Sequence, residues 1–432
     1  MILMNQNQKL VTKRGKDVDF VFVYEVKNRE IQGISLIAYE LVKRGYTVGF
    51  VNAWHGLHND DVRYRAKAAI VFEAYNTDVL NFALSFIEHC DHVFNMQWEQ
   101  ILCDVCLEEG SLYILTGEAN RVYHASWGEA NYRHLIDICG IPEDKVKIVG
   151  HVGLDPARER FKGYYKSKEE ICKEFGIKES RQLALFISSF SNHCNKSQEF
   201  QDFARDSQTE ILKWLIKYAS ENENIQVIYR PHPAEVTNKE LREKLESLEN
   251  VSVISQYSIQ QWISISDVIL NWWSTSMGDI AVSEKSSVIL RPCEIPAEYE
   301  YYPFKNAIMA HTYEEMIEQI KSAKSPVEKA EMDKYYHFED RMAYEKIADE
   351  LEKLLELEPT YVHNCVKKKK LKEFGFILTL RENYGLLKAY LAKRAGKKNE
   401  YDTVSYHLRM AKLSWVPEKE IIAIMERFRG LM

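Results

Sequence analysis

Short apolar runs rich in Val, Ile and Phe alternate with segments of helical period along most of this chain, and the whole alternation occurs twice. Such alternation builds parallel sheets, because joining two parallel strands needs a crossover, most often a helix. In the first series DFVFVY (19–24) is followed by a helical pattern from Glu30 to Arg44, the stop signal Gly45 and the run YTVGFVN (46–52). Strands are expected again at 69–72, 92–96, 121–125 and 145–149, with helices at 76–89 and 131–139 between them. A polar stretch, 155–180, reads as a linker. The second series starts at Leu183, with strands expected at 225–230, 251–254, 268–272, 288–291 and 307–310 and helices at 208–220, 238–248, 259–265, 277–282 and from Tyr313.

The expected fold class is therefore α/β: two doubly wound Rossmann-like domains, 1–165 and 166–350, with a helical extension over 351–432. A length of 432 residues, 46 % of them apolar, suffices for two cores. In such sheets ligands bind beyond the carboxyl ends of the strands, so residues just after strands are the candidates for chemistry.

The clearest such place is IQVIYRPHPAE, where a buried strand runs into Arg230, Pro231, His232 and Pro233. The prolines end the strand and stiffen the loop, and a guanidinium and an imidazole held there suit a phosphate. A proline-rich turn with an incidental histidine has the same sequence. SDVILNWWSTSMGDIA places Ser274, Thr275 and Ser276 between a strand and a helix start, as an anion cradle or as simple helix caps. FISSFSNHCNKS adds Ser189 and Asn192 after the first strand of the second series. In the first series Glu25, Arg29 and Glu30 follow one strand, Trp98 and Glu99 a second, and Trp127 a third. Carboxylates and Trp rings at neighbouring strand ends fit a sugar cleft, with one carboxylate as general base on an acceptor hydroxyl. Glu30 equally suits a helix start.

Other chemistries lack their signatures. There is no GxxxxGK[ST] loop, no GxGxxG after the first strand, no HExxH and no GxSxG. The one DxD, Asp17-Val18-Asp19, lies before the first strand, so no essential metal is expected there. Eight scattered cysteines, including Cys103 and Cys106 as a CxxC, read as reduced thiols of a cytoplasmic protein. No run approaches the roughly 20 apolar residues of a spanning helix, and no secretion signal is visible. The net charge is −7, and no nucleic-acid partner is expected. That charge is unevenly spread: Tyr361–Met432 holds 16 Lys and Arg against 7 Asp and Glu, or +9, and the remainder 41 against 57, or −16. Lys367–Lys370 and Lys372, with Trp415 and Phe428 as apolar anchors, suit an anionic membrane surface or a helical cap with a solvated basic face.

With these residues in view, the chain resembles bacterial surface carbohydrate (capsule and lipopolysaccharide) biosynthesis proteins of GT-B type, over roughly residues 17–350. The stretches VYEVKNREIQGISLIAYELVKRGY, NMQWEQ and KVKIVGHVGLDPARERF carry that resemblance. RPHP with WWSTSMGDIA is similar to CDP-glycerol glycerophosphotransferases and bacterial sialyltransferases. The resemblance implies that His232, Pro233, Ser274 and Thr275 hold the phosphates of a cytidine nucleotide. It further implies a nucleotide-sugar donor as substrate, no cofactor, and a glycan or lipid-linked glycan acceptor. Asp279 stands where many GT-B enzymes have a ribose-binding Glu, and Lys285-Ser286-Ser287 where many have Gly-Lys-Pro. The acidic-acidic-Gly base motif of polysialyltransferase-like enzymes is not seen, which leaves Glu25, Glu30 and Glu99 as candidate bases. A transferase of sugar or alditol phosphate is the leading expectation. A sugar-nucleotide epimerase and a non-catalytic subunit of a polysaccharide assembly complex are the alternatives.

Overall fold

The structure, a computed structural model, describes residues 17–53, 64–190, 197–232, 235, 238–283, 285–322, 325–364 and 414–432. It divides into two compact units. One comprises Met1–Gln100, Glu109–Asp155 and His337–Met432, the other Ile101–Glu108 and Pro156–Tyr336. The chain thus changes unit at Asp155 and Tyr336, not at the expected 165 and 350, and makes a brief excursion at Ile101–Glu108.

The first unit is built on β1 (Asp17–Tyr24), β2 (Val48–Asn52), β3 (Tyr64–Val71), β4 (Ile87–Asn95), β5 (Tyr123–Ser126) and β6 (Val146–Ile148). They lie in the order β2-β1-β3-β4-β5-β6, each pair parallel. The connections are α1 (Lys27–Lys43), α2 (Thr77–Leu84) and α3 (Glu129–Arg133), the last continued by one π turn to Ile138. Phe20, Val21 and Phe22 are buried, as a parallel sheet covered on both faces requires. After β1 the chain adds β2 on one side and then β3 on the other, so the order reverses between β1 and β3.

The second unit repeats the plan with β7 (Gln182–Ile187), β8 (Ile225–Arg230), β9 (Val251–Val253), β10 (Val268–Asn271), β11 (Ser287–Leu290) and β12 (Met309–Ala310). Their order is β12-β11-β10-β7-β8-β9, all parallel, with the reversal between β7 and β10. Its helices are α4 (Lys168–Phe175), α5 (Gln198–Glu221), α6 (Lys239–Glu246), α7 (Ile259–Ile265), α8 (Met277–Ser283), α9 (Tyr313–Ser322) and α10 (Lys329–Tyr336). The expected linker holds α4, whose Ser167 and Glu170 form a capping box and whose end is Gly176 at φ 67°.

The chain then returns to the first unit through α11 (Ala343–Leu355), a short strand β13 (His363–Asn364) and α12 (Glu418–Arg429). α11 and α12 both pack on α1, twelve of whose seventeen residues are buried. Lys27 pairs with Glu420 at 2.6 Å, and Arg44 with Asp349 at 2.9 Å. Phe428 is fully buried in α12, which removes it as a membrane anchor and fits the alternative of a packed helical cap; Trp415 is exposed. Lys367–Lys370 and Lys372 lie outside the described residues.

Several boundaries expected from sequence moved: the helix expected from 208 begins at Gln198, and the strand expected from 69 begins at Tyr64. The helix expected to reach His89 ends at Leu84, and β4 begins at Ile87. The polar start of β4 gains a second neighbour from far along the chain: β13 pairs antiparallel with it, and His89 Nδ1 lies 2.8 Å from Asn364 Oδ1.

Candidate functional site

In the first unit β1 and β3 flank the reversal of strand order, and each runs directly into a glutamate. Glu25 follows β1 and Glu73 lies just beyond β3. Arg29, on the first turn of α1, faces both: Arg29 Nη2 is 3.1 Å from Glu25 Oε2 and 3.6 Å from Glu73 Oε1. Its Nη1 donates to Glu99 Oε1 at 2.9 Å, and its Nη2 and Nε donate to Glu30 Oε1 at 2.7 and 3.0 Å. Four carboxylates therefore surround one guanidinium.

Their environments differ. Glu30 is fully buried, and its carboxylate reaches back to accept the backbone N–H groups of Glu25 at 2.7 Å and Val26 at 3.1 Å. Val26 is the N-cap of α1 and has no capping side chain; Glu30 makes the reciprocal contact of a capping box, reaching back to the N–H of the N-cap and of the residue before it. Burial raises the Glu30 carboxyl above its ordinary value, against the pull of Arg29. Burial pushes Glu25 up to about 7, with Arg29 opposing and the charges of Glu30 and Glu99 assisting. Burial pushes Glu73 up to about 9, again against Arg29 and with the charge of Glu99. A carboxylate that titrates near neutrality is poised for proton transfer.

Glu99 sits in the loop after β4, which a buried amide clamps. Gln100 Nε2 donates to the carbonyls of Gln97 and Ala125, both at 2.9 Å, and Gln100 Oε1 accepts the Trp127 N–H at 2.7 Å. Gln97 adopts φ 42°, stabilised as its N–H donates to Asn95 Oδ1 at 3.1 Å. Glu99 is half-exposed and accepts the Tyr113 hydroxyl at 3.2 Å. Trp98 and Trp127 do come together, through His151 and not as open platforms. Trp127 stacks on His151 with centroids 3.8 Å apart, Trp98 meets His151 edge-on at 5.7 Å, and both indoles are buried. Burial holds His151 neutral, with its pKa down at about 3. This loop fits against α1 because residue 33 is glycine: a Cβ there would lie 2.9 Å from Val152 and 3.1 Å from Trp98. Glu129 stays outside the cluster, paired with Arg133 at 2.7 Å.

The sequence reading missed Glu73 and Tyr75. The signal was available, since VFE (71–73) repeats the pattern of VYE (23–25), an apolar strand running straight into glutamate.

In the second unit the described residues after β7 touch those after β8, through Ser188 and Glu235, and those after β10, where Phe190 packs on Trp272 at 4.9 Å. Arg230 is spent on backbone: its Nη1 donates to Gln256 O at 2.9 Å and its Nη2 to Tyr257 O at 2.5 Å. Burial lowers the Arg230 pKa to about 10. His232 is exposed. The RPHP loop is anchored by Glu235, which the sequence did not single out. Glu235 accepts Ser188 Oγ, the Tyr229 hydroxyl at 3.2 Å and Arg242 Nη1 at 2.5 Å, and the Arg242 guanidinium lies 3.9 Å over the Tyr229 ring. Ser189, next to that anchor, is buried. Pro233 and Asn192 lie outside the described residues.

After β10, Asn271 shapes the serine loop. Its Oδ1 accepts Ser274 N–H at 3.1 Å, its Nδ2 donates to Ser274 O at 3.2 Å, and Ser274 Oγ donates to Ser276 Oγ at 3.1 Å. Thr275 is exposed, and its carbonyl accepts the Tyr336 hydroxyl at 3.0 Å. The Tyr336 ring lies where a side chain at residue 278 would be, with a Cβ only 2.1 Å from its Cζ, so glycine is required. Asp279 is half-buried and accepts Gln260 Nε2 at 2.9 Å; burial pushes its pKa up to about 7.

No family model and no curated protein matches this chain. Solved structures do. The wall teichoic acid polymerase TagF aligns with a TM-score of 0.53 and 11 % identity over 78 % of this chain and 89 % of that one. A putative UDP-N-acetylglucosamine 2-epimerase from Listeria monocytogenes aligns with a TM-score of 0.50 and 10 % identity, over 82 % and 100 %. The chain has the GT-B fold. A TagF variant soaked with CDPG aligns with a TM-score of 0.50 and 11 % identity, over 78 % and 88 %. At such identities the likeness is one of GT-B architecture, two parallel sheets with alternating helices. No helix among the described residues is long and apolar enough to cross a membrane.

Proposed function

We propose that this protein is a transferase that moves a sugar, or an alditol phosphate, from a nucleotide-activated donor to a hydroxyl of a surface-glycan acceptor. The observation that carries the reading is Glu25. It stands at the strand-order reversal of the first sheet, 3.1 Å from the guanidinium that orients it, with a protonation midpoint at about 7. Glu25 takes the acceptor's hydroxyl proton as that oxygen forms its bond to the donor carbon, or to phosphorus in the alditol case. The bond to the nucleotide phosphate breaks, and its electron pair leaves with the nucleotide. Arg29 holds Glu25 in place. Glu99 is the more exposed carboxylate of the cluster, and Glu30 acts by fixing the turn.

The second unit takes the donor. His232 and the hydroxyls of Ser274, Thr275 and Ser276 meet the phosphates, with Ser189 beside them, and Asp279 reaches the ribose. Arg230 contributes by holding the Gln256–Tyr257 turn. The fold is shared with a polymerase whose structure was soaked with CDPG, which supports a cytidine nucleotide as first choice. The donor is a substrate, and no cofactor is assigned. Nucleotide release, measured over a panel of CDP-, CMP- and UDP-activated donors with glycan acceptors, tests the reading. Glu25→Gln is expected to lower turnover roughly 100-fold or more; near-wild-type turnover in that variant would remove Glu25 as base. Isomerisation of a UDP-sugar in the absence of acceptor would favour the epimerase that shares this fold.

A further inference from the structure

The acceptor has a chemistry that the first unit specifies, given the transferase reading above. Arg29 faces four carboxylates, of Glu25, Glu30, Glu73 and Glu99, so the site is negative even when some of them carry protons. Ionised carboxylates only accept hydrogen bonds, so a ligand that binds Glu99 or ionised Glu25 must donate, while Glu73, which burial keeps protonated up to about 9, can itself donate one. Beside this cluster stands Tyr75. It is only 6 % exposed, and its hydroxyl makes no hydrogen bond among the described residues. The Tyr75 ring packs edge-on against Tyr113 at 5.7 Å, and the Tyr113 hydroxyl bonds Glu99. Burial, with the charges of Glu99, Glu73 and Glu25 assisting and that of Arg29 opposing, keeps the Tyr75 hydroxyl protonated. A buried hydroxyl without a partner is costly unless a ligand supplies one.

We infer that Glu25, Glu73, Glu99 and the Tyr75 hydroxyl form a binding site for an uncharged, hydroxyl-rich acceptor end, and that the site turns away ends bearing a phosphate or carboxylate. A neutral polyol donates its O–H groups to the ionised glutamates and accepts from Tyr75. A phosphate or carboxylate group at that place brings no donor to the ionised carboxylates and is repelled by them. Arg29 does not rescue the anion, because its guanidinium is already shared among the glutamates.

Saturation-transfer NMR on the full chain, without donor nucleotide, tests the inference. The probes are the methyl glycosides of glucose, galactose and N-acetylglucosamine, each beside its 6-phosphate, together with methyl glucuronoside. At least one neutral glycoside is expected to bind, with its charged counterpart roughly tenfold or more weaker at low salt. Tyr75→Phe, which keeps the ring, is expected to weaken the neutral glycoside, and Glu99→Gln to narrow the gap to the anion. Binding of the anionic member as tight as the neutral one, no binding by any neutral glycoside, or an unchanged neutral affinity in Tyr75→Phe would each overturn it. Because no donor is present, failure here is separate from failure of the transferase reading, which nucleotide release decides.

Discussion

The Glu30 carboxylate accepts the backbone N–H of Glu25 at 2.7 Å, so one acid of the β1–α1 turn is used to position the next. Glu30 has no exposed surface, and its bonds to two N–H groups and Arg29 leave it little freedom to exchange a proton with a substrate. Glu30→Ala removes the helix-start acceptor and one partner of a buried ion pair. It is expected to cost about 3 kcal/mol or more, seen as a lower urea midpoint. Glu25→Gln, which no longer buries an ionisable carboxyl, is expected to abolish most turnover without lowering that midpoint. The reverse pattern would exchange the two roles.

The pH dependence of turnover follows from Glu25. A general base works in its deprotonated form, and burial sets this midpoint at about 7. The rate constant kcat/KM is expected to fall about tenfold per pH unit below that point and to level off above it. Weakening the guanidinium's opposition with Arg29→Lys is expected to move the acid limb upward, since Arg29 holds the Glu25 value down. A profile flat between pH 5 and 8 would exclude Glu25 as the titrating base.

Glu73 makes a stability prediction of opposite sign from that of an ordinary surface carboxylate. Its folded value is pushed up to about 9 from 4.5, so the folded state keeps a proton that the unfolded chain releases. That contribution is complete below about pH 4.5 and is lost as pH rises towards 9. Glu25 shares the lower part of the window, up to about 7, which leaves pH 7 to 9 as the range that reports Glu73. Glu73→Gln, which stays neutral, is expected to flatten that decline by roughly 2 kcal/mol, measured as urea midpoints at pH 7 and 9. An unchanged slope would mean that Glu73 is ionised throughout.

The sheets and their strand ends were legible in the sequence because buried parallel strands write themselves as continuous apolar runs. Glu25, Glu99 and Ser274 could be placed just beyond strands for the same reason. The wiring between loops was not legible. That Glu235 holds the RPHP loop through Ser188, 47 positions earlier, depends on β7 and β8 being neighbours, which strand order decides and local pattern does not. Arg230 read as a phosphate ligand because it ends a strand, yet its reach to the Gln256 and Tyr257 carbonyls is set by the turn after β9. β13 was hidden because two residues, His363 and Asn364, carry no periodicity at all.

The Glu235 anchor separates loop placement from direct contact. Glu235→Gln keeps the shape but weakens the bonds to Ser188, Tyr229 and Arg242, and it is expected to lower stability by roughly 2 kcal/mol. If His232 meets the donor's phosphates, loosening its loop also weakens donor affinity. Calorimetric titration with the nucleotide diphosphate product is expected to show a several-fold rise in Kd, and His232→Ala a larger one without the stability loss. Unchanged affinity in both variants would remove this loop from the donor site.

The C-terminal helix changes how the membrane idea is to be tested. Phe428 is fully buried, Val416 N–H donates to the Tyr24 hydroxyl at 3.3 Å, and Asn52 donates to the Ser414 carbonyl at 3.2 Å. Removing the chain beyond Glu358 would therefore strip α12 from α1 and change the first unit's own packing along with any membrane contact. Phe428→Ala alone is expected to cost about 3 kcal/mol through the cavity it leaves, with no specific effect on lipid. The informative variant keeps the full chain and replaces Lys367–Lys370 and Lys372 by Gln. If the basic run meets an anionic leaflet, each lysine contributes about 1 kcal/mol near the surface. Co-sedimentation with phosphatidylserine vesicles is then expected to fall in that variant, and in wild type on raising salt. Trp415→Ala, at an exposed indole, is expected to reduce it further. Equal pelleting of wild type and the lysine variant would assign the basic run to the protein's own solvated face.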